Sequence, residues 1–346
     1  AQCLVGSEMC IRDSENTFVV KAGAVIKELV VTKGNIEIAT DAVVNKLTLE
    51  ADVTINSRLY IPVGAKMEVI LGTHEFTLGG DYYTRIYGGG ELVLTGDETY
   101  KGKVTDKTAG ISLYGDGAKF TMKNVDYKAA KTGGRGVFID KRYSSALIDI
   151  ENSTMVGKYF CVNTNATAEV GSNNTITLSN STFTADETAL LVNIPVTVTA
   201  TQCTFTGGWQ GVFLRGGTST FDGCTFNLAV NSQYDKNTME AGAITWSEGN
   251  QAPSAAITAG NRSKSAYDYK TTFELKNSCV FSVKVDDTDS QDYPAIYIDA
   301  EKNKPNQGVV FKYSSDTFGS VGTGLDIRET TGKVTVNGTE YKGKVD

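Results

Sequence analysis

The sequence predicts an all-β solenoid, a single-stranded right-handed parallel β-helix built from three-strand coils. Three observations carry that expectation. A nine-residue pattern recurs seven times along the chain, the mark of a repeat architecture. Each copy alternates apolar and polar residues on both sides of a turn residue, as half-buried strands do. Between copies lies a further short strand whose inward positions keep the same chemistry from one copy to the next.

Composition agrees. Among 346 residues there are 36 Gly and only 5 Pro, and 40% of the chain is apolar, which favours strands joined by tight turns around a core. No run is long and apolar enough for a transmembrane segment. The net charge is −7 and no basic stripe is visible, so nucleic acid is not an expected partner.

From the N-terminus, residues 3–14 resemble the translation of a sequencing adapter joined to an open reading frame, of the kind found in metagenomic assemblies. Segment 1–14 is therefore expected to be artefactual and to contribute no fold element. On that reading the natural N-terminus lies upstream, and a missing leader says nothing about export. Residues 15–346 are expected to form one domain. Its first part, 15–95, reads as loop-poor coils, with short strands at 29–31, 36–38, 47–49, 53–55, 59–61, 68–70 and 76–78. Segments 82–90 and 96–110 read as loops at a transition. The second part, 110–346, reads as loop-bearing coils.

The repeat aligns 119–127, 147–155, 175–183, 197–205, 218–226, 272–280 and, more loosely, 310–318. Its turn positions are Asn124, Asn152, Asn180, Gln202, Gly223, Asn277 and Ser315, mostly types that tolerate a left-handed backbone. Successive steps are 28, 28, 22, 21, 54 and 38 residues; the longer ones are coils carrying loops, and the 54 leaves room for an extra coil. A small inward residue follows each turn (Ser153, Ser181, Cys203, Cys224, Ser278). A large one comes two positions later (Tyr127, Met155, Phe183, Phe205, Phe226, Phe318), and the aromatic members should stack at about 4.8 Å per coil. Cys203 and Cys224 share one column, as stacked thiols or as a disulfide. The third strand reads at 136–140, 159–163, 189–193, 211–215, 242–246, 295–299 and 324–328.

The strings at 180–183, 207–217 and 223–226 resemble the coils of the pectate-lyase-like right-handed β-helix superfamily, common among secreted and surface proteins of gut bacteria. The resemblance covers 120–336 well and 18–94 loosely, and it implies fold more than function. Members include polysaccharide lyases, hydrolases, phage tailspikes and adhesins. The Gly-His-Gly chemistry of the polygalacturonase-like members is excluded, because the single histidine is His74 in an ordinary strand pattern.

The third strand also places one polar outward column. Arg215, Trp246 and Asp299 are expected on neighbouring coils, with Asn193 and Arg328 further along and Tyr297 in the adjoining column. Long loops at 227–241, 247–271, 282–293 and 300–308 should wall a groove there. A flat indole beside a guanidinium fork suits a glycan; otherwise the column is the polar outside of a strand. Asp286, Asp287, Asp289 and Asp292 form an oxygen-rich loop that would take calcium, or a plain solvated loop; no cofactor is required. Trp209 is either a cover for the coil edge or a ligand platform. The expected function is a secreted or cell-surface, adhesin-like protein binding a polysaccharide, surface glycan or partner surface without catalysis. The alternatives are a polysaccharide lyase or glycoside hydrolase acting on acidic polysaccharide, and a phage tailspike-like protein.

Overall fold

The protein is a right-handed parallel β-helix. A computed structural model describes residues 8–11, 17–140, 142–165, 170–229, 254–260, 269–284, 293–299, 308–314 and 334–341. Among them there is no helix. The chain divides into two compact units, Ala1–Lys158 and Tyr159–Asp346.

In the first unit one sheet stacks Glu8–Ile11, Glu28–Val31, Lys46–Leu49, Lys66–Gly72, Glu91–Gly96, Lys119–Lys123 and Leu147–Glu151, all parallel. A second sheet stacks Phe18–Val20, Asn35–Ile38, Val53–Ile55, Glu75–Leu78, Gly102–Asp106, Val125–Ala129 and Thr154–Gly157. A third stacks Tyr60–Ile61, Thr84–Tyr87, Ile111–Tyr114 and Val137–Ile139. Strict alternation builds them: Leu29, Leu47, Val69, Leu92, Phe120 and Ile148 are buried on the first sheet, with outward partners such as Glu28 and Lys46 paired at 2.8 Å.

Two expectations are corrected here. Glu8–Ile11 lies inside the segment expected to add no fold element, yet it pairs in register with Glu28–Val31. Four residues able to extend are enough to satisfy the open edge of the first sheet. The segments 82–90 and 96–110, expected as loops, hold strands Thr84–Tyr87 and Gly102–Asp106. Thr84 and Ile86 point inward and are fully buried, whereas Arg85 and Tyr87 are only half-buried. Short strands punctuated by glycine keep the alternation but hide it from a composition scan.

In the second unit the first sheet runs Thr175–Ser179, Thr197–Thr201, Gly217–Asp222, Thr271–Lys276, Val309–Tyr313 and Val334–Val336, and an antiparallel strand, Thr339–Tyr341, folds back on the last of these. The second sheet runs Thr182–Ala185, Thr204–Gly207, Thr225–Ala229 and Val280–Lys284. The third runs Phe160–Thr164, Thr188–Val192, Gln210–Leu214, Ala255–Gly260 and Ile296–Asp299. Thr218 pairs directly with Thr272, so the 54-residue step is a single coil. Outward threonines such as Thr177, Thr199 and Thr220 sit side by side, β-branched residues that suit an exposed pleated strand.

The turn column behaves as its residue types require. Asn124, Asn152, Asn180, Gln202, Gly223 and Asn277 all have φ between 45° and 59°. Asn152 Nδ2 donates to Asn124 Oδ1 at 2.7 Å, one rung of the amide ladder. Gly223 takes the same φ without a side chain, and a Cβ there would lie 2.1 Å from Gln202 Nε2, so a larger residue would make that amide move. Inside, Phe183, Phe205 and Phe226 stack at centroid separations of 5.3 and 5.8 Å with rings 12° apart. Each buried ring contributes roughly 1.5–3 kcal/mol from removal of apolar surface. Phe318 and Ser315 lie outside the described residues.

The alignment slips by one after Asn277. Ser278 is also left-handed, at φ 51°, so the turn there holds two such residues. Cys279, not Ser278, takes the small inward position, and Phe281 joins the aromatic column 5.2 Å from Phe226. Val280 is turned outward and is 38% exposed.

Candidate functional site

Around Arg215 the strand pairing differs from the one read from the sequence. Gln210–Leu214 pairs with Ala255–Gly260, which holds the place expected for 242–246. Gly260 in turn pairs with Asp299, whose strand follows on the next coil. Trp246 and Arg328 lie outside the described residues, as do Asp286, Asp287, Asp289 and Asp292 and most of the loops expected as walls. Among the described residues no cluster of three or more His, Cys, Asp or Glu side chains could hold a metal ion.

Arg215 itself is only 2% exposed. Its Nη1 donates to Asn193 Oδ1 at 3.1 Å and its guanidinium lies 3.9 Å from the centre of the Phe213 ring. Asn193 is buried too and spends its Nδ2 on Thr164 O at 3.0 Å. Tyr297 is buried. The column also breaks at its start, because Val162 pairs with Leu190 and Asn163 therefore stands beside Leu191, not Asn193. Outward on a strand is thus not outward to solvent: Phe160, Leu191 and Phe213 form a buried apolar cluster on this unit. An enclosed guanidinium held by an amide and an aromatic face is a structural group and presents no fork to a polysaccharide. Trp209, at 7% exposure, is a cover and not a platform. Cys161, Cys203, Cys224 and Cys279 are free and buried, and burial pushes the Cys279 thiol up to about 11.

The described surface does assemble another site, on the third sheet of the first unit. Its inward residues are apolar or small, and its outward residues are Tyr60, Arg85, Tyr87, Ser112, Tyr114 and Phe138. Tyr60, Tyr87, Tyr114 and Tyr143 follow one another coil by coil, with centroid steps of 5.8, 5.8 and 5.4 Å. All four are half-buried. Arginines are laced through the rings. Arg58 lies 5.0 Å from the Tyr60 ring and 5.1 Å from the exposed Tyr82 ring, and its Nε donates to Tyr83 O at 3.0 Å. Arg85 lies 4.4 Å from Tyr114, and Arg135 lies 5.3 Å from Phe138, against which Tyr83 packs edge-on. Such cation–π contacts fix the guanidinium planes while the charges stay at the surface.

Electrostatics keep Tyr143 a donor. Burial first, and then the neighbouring Tyr114 and Asp140, push the Tyr143 hydroxyl above the usual phenol range, against the opposing pull of Arg142. Tyr143 therefore holds its proton at physiological pH. Burial opposes the charge on Arg85, but its hydrogen bond to Tyr87 and the surrounding phenols outweigh that and hold it above the ordinary guanidinium value. The face combines flat apolar rings, hydroxyls and guanidiniums, groups that can hold a polar ring compound. Sequence reading passed over it as a loop. The signal was present in Tyr83, Arg85 and Tyr87, three alternate residues, with Tyr60 beside Arg85 and Tyr114 beside Tyr87 on adjacent coils.

Comparison with known proteins adds no relative: no family model, curated protein or solved structure matches the chain.

Proposed function

We propose that this chain is a glycan-binding β-helix protein of secreted or cell-surface type, acting without catalysis, and that the tyrosine–arginine face of its first unit receives the sugar. One observation carries the reading: four successive coils each present a tyrosine to the same face, with arginines seated against the rings. A repeat needs apolar residues inward but has no packing reason to place large aromatics outward in series, where part of each side chain meets water. Tyrosine offers broad, rigid contact area at small entropy cost and a hydroxyl for hydrogen bonding, which suits the apolar faces and equatorial hydroxyls of a pyranose. Among the described residues no helix is long and apolar enough to cross a membrane.

A glycan array followed by affinity electrophoresis tests the proposal. Wild type should retain at least one polysaccharide. Tyr87→Ala should release it, while Tyr100→Ala, an exposed tyrosine away from this face, should not. No bound polysaccharide should be shortened or gain unsaturated ends. Absence of binding across the array, or equal retention by the two variants, would overturn the assignment.

A further inference from the structure

We infer that Cys203 and Cys224 close a disulfide in an oxidising medium, a redox-sensitive staple between two successive coils of the second unit, while Cys279 stays a thiol. The inference is independent of the glycan-binding reading.

Position comes first. Ser181, Cys203, Cys224 and Cys279 fill the small inward place after the turn on successive coils, and all four are buried. Serine serves on the first of these coils, so packing alone does not call for sulfur on the next three. Cys203 and Cys224 each stand one residue before the paired Thr204 and Thr225, and Thr225 N donates to Cys203 O at 2.8 Å. Their Cα atoms are therefore about one strand spacing apart, ~4.8 Å, inside the roughly 4.4–6.8 Å that a disulfide spans. Both are free in the structure, which is the reduced form.

Partner choice follows from the turns. The Cys203 and Cys224 thiols hydrogen-bond each other. Cys279 comes after the turn with the additional left-handed residue, Ser278, and its Sγ donates to Lys276 O at 3.2 Å. The segment between Cys203 and Cys224 is also far shorter than the one between Cys224 and Cys279, so closing it costs less chain entropy.

The oxidant is a small disulfide such as oxidised glutathione. As the coils close, one cysteine thiolate attacks a glutathione sulfur, forms a mixed disulfide and releases one glutathione thiolate. Docking of Thr225–Ala229 on Thr204–Gly207 brings the second cysteine alongside. It loses its proton to solvent, attacks the first cysteine sulfur and expels the second glutathione thiolate. The protein gives up two electrons and two protons, and glutathione takes up the electrons. The coil spacing exceeds the roughly 3.5–4.5 Å that disulfide Cβ atoms prefer, so the bond is strained and easily reduced. It follows the redox state of its surroundings.

The test is refolding of the full chain from urea in graded mixtures of oxidised and reduced glutathione, then alkylation, digestion and mass spectrometry. Oxidised mixtures should join the Cys203 and Cys224 peptides, short of two hydrogens, while Cys161 and Cys279 carry the alkyl group. Mostly reduced mixtures should leave all four alkylated. The joined protein should unfold at a urea midpoint higher by about 0.5–1 M than the reduced protein. Cys224→Ser should abolish both the link and that gain, and Cys279→Ser should keep both. Ser181 shows that this inward place accepts serine, so these variants should fold. Alkylation of both Cys203 and Cys224 after folding in oxidised glutathione would overturn the inference. So would a Cys224–Cys279 link in place of theirs, an unchanged midpoint, or a link that persists in mostly reduced mixtures.

Discussion

Replacing Phe281 and Val280 separately by alanine tests the one-residue shift after Asn277, where pattern and structure disagree. Strict alignment turns Val280 inward and Phe281 outward; the fold does the reverse. Phe281 is 7% exposed and stacks 5.2 Å from Phe226. Its truncation removes transfer free energy, leaves a cavity and cuts an aromatic pair, so Phe281→Ala should cost about 3–5 kcal/mol. Val280 is 38% exposed, and Val280→Ala should cost about 0.5 kcal/mol or less. Urea unfolding followed by circular dichroism reads the difference. With a slope of about 1–3 kcal/mol per molar, Phe281→Ala moves the midpoint by at least about 1 M while Val280→Ala leaves it nearly in place. Solenoids distribute stability over neighbouring coils, so the transition may be compared only between variants of equal slope. A larger loss from Val280→Ala than from Phe281→Ala would refute the register and the double left-handed turn that produces it.

Two further outcomes follow from buried polar groups. Burial raises the carboxyl of Asp106 above its usual range, against the pull of its hydrogen bonds with Thr108 and Tyr127. The folded state therefore holds that proton more tightly than the unfolded chain. The resulting stability is full below the ordinary carboxylate pKa and is lost as pH rises through the raised folded value. Asp106→Asn keeps an acceptor for Thr108 N–H and should remove that part of the pH dependence; urea midpoints across a pH series that shift identically in both proteins would refute it. Arg215→Ala should destabilise by about 2–5 kcal/mol, because it empties a buried site and strands the Asn193 carbonyl. Glycan retention by whatever fraction stays folded should be unchanged, and a selective loss of binding at intact melting temperature would contradict a structural role.

The architecture was legible in the residues. Period-2 alternation, left-handed turn residues and the Phe183, Phe205 and Phe226 column are local or strictly repeated signals, and each survives in the fold because a coil must bury its inward side chains whatever the rest of the chain does. The sequence also held the tyrosine and arginine positions of the first unit, though short glycine-bounded strands made them look like loops. Which outward faces meet water depends on long-range packing. Alternation says that Arg215, Asn193 and Tyr297 leave the coil interior, but their burial depends on what packs over that side, and no local pattern encodes it. Register was the other tertiary decision. One additional left-handed residue at Ser278, and an insertion that let Ala255–Gly260 take the place expected for 242–246, each changed which side chains are neighbours. A strand's partner is chosen by the best fit of the whole coil, and a slip of one residue exchanges its two faces.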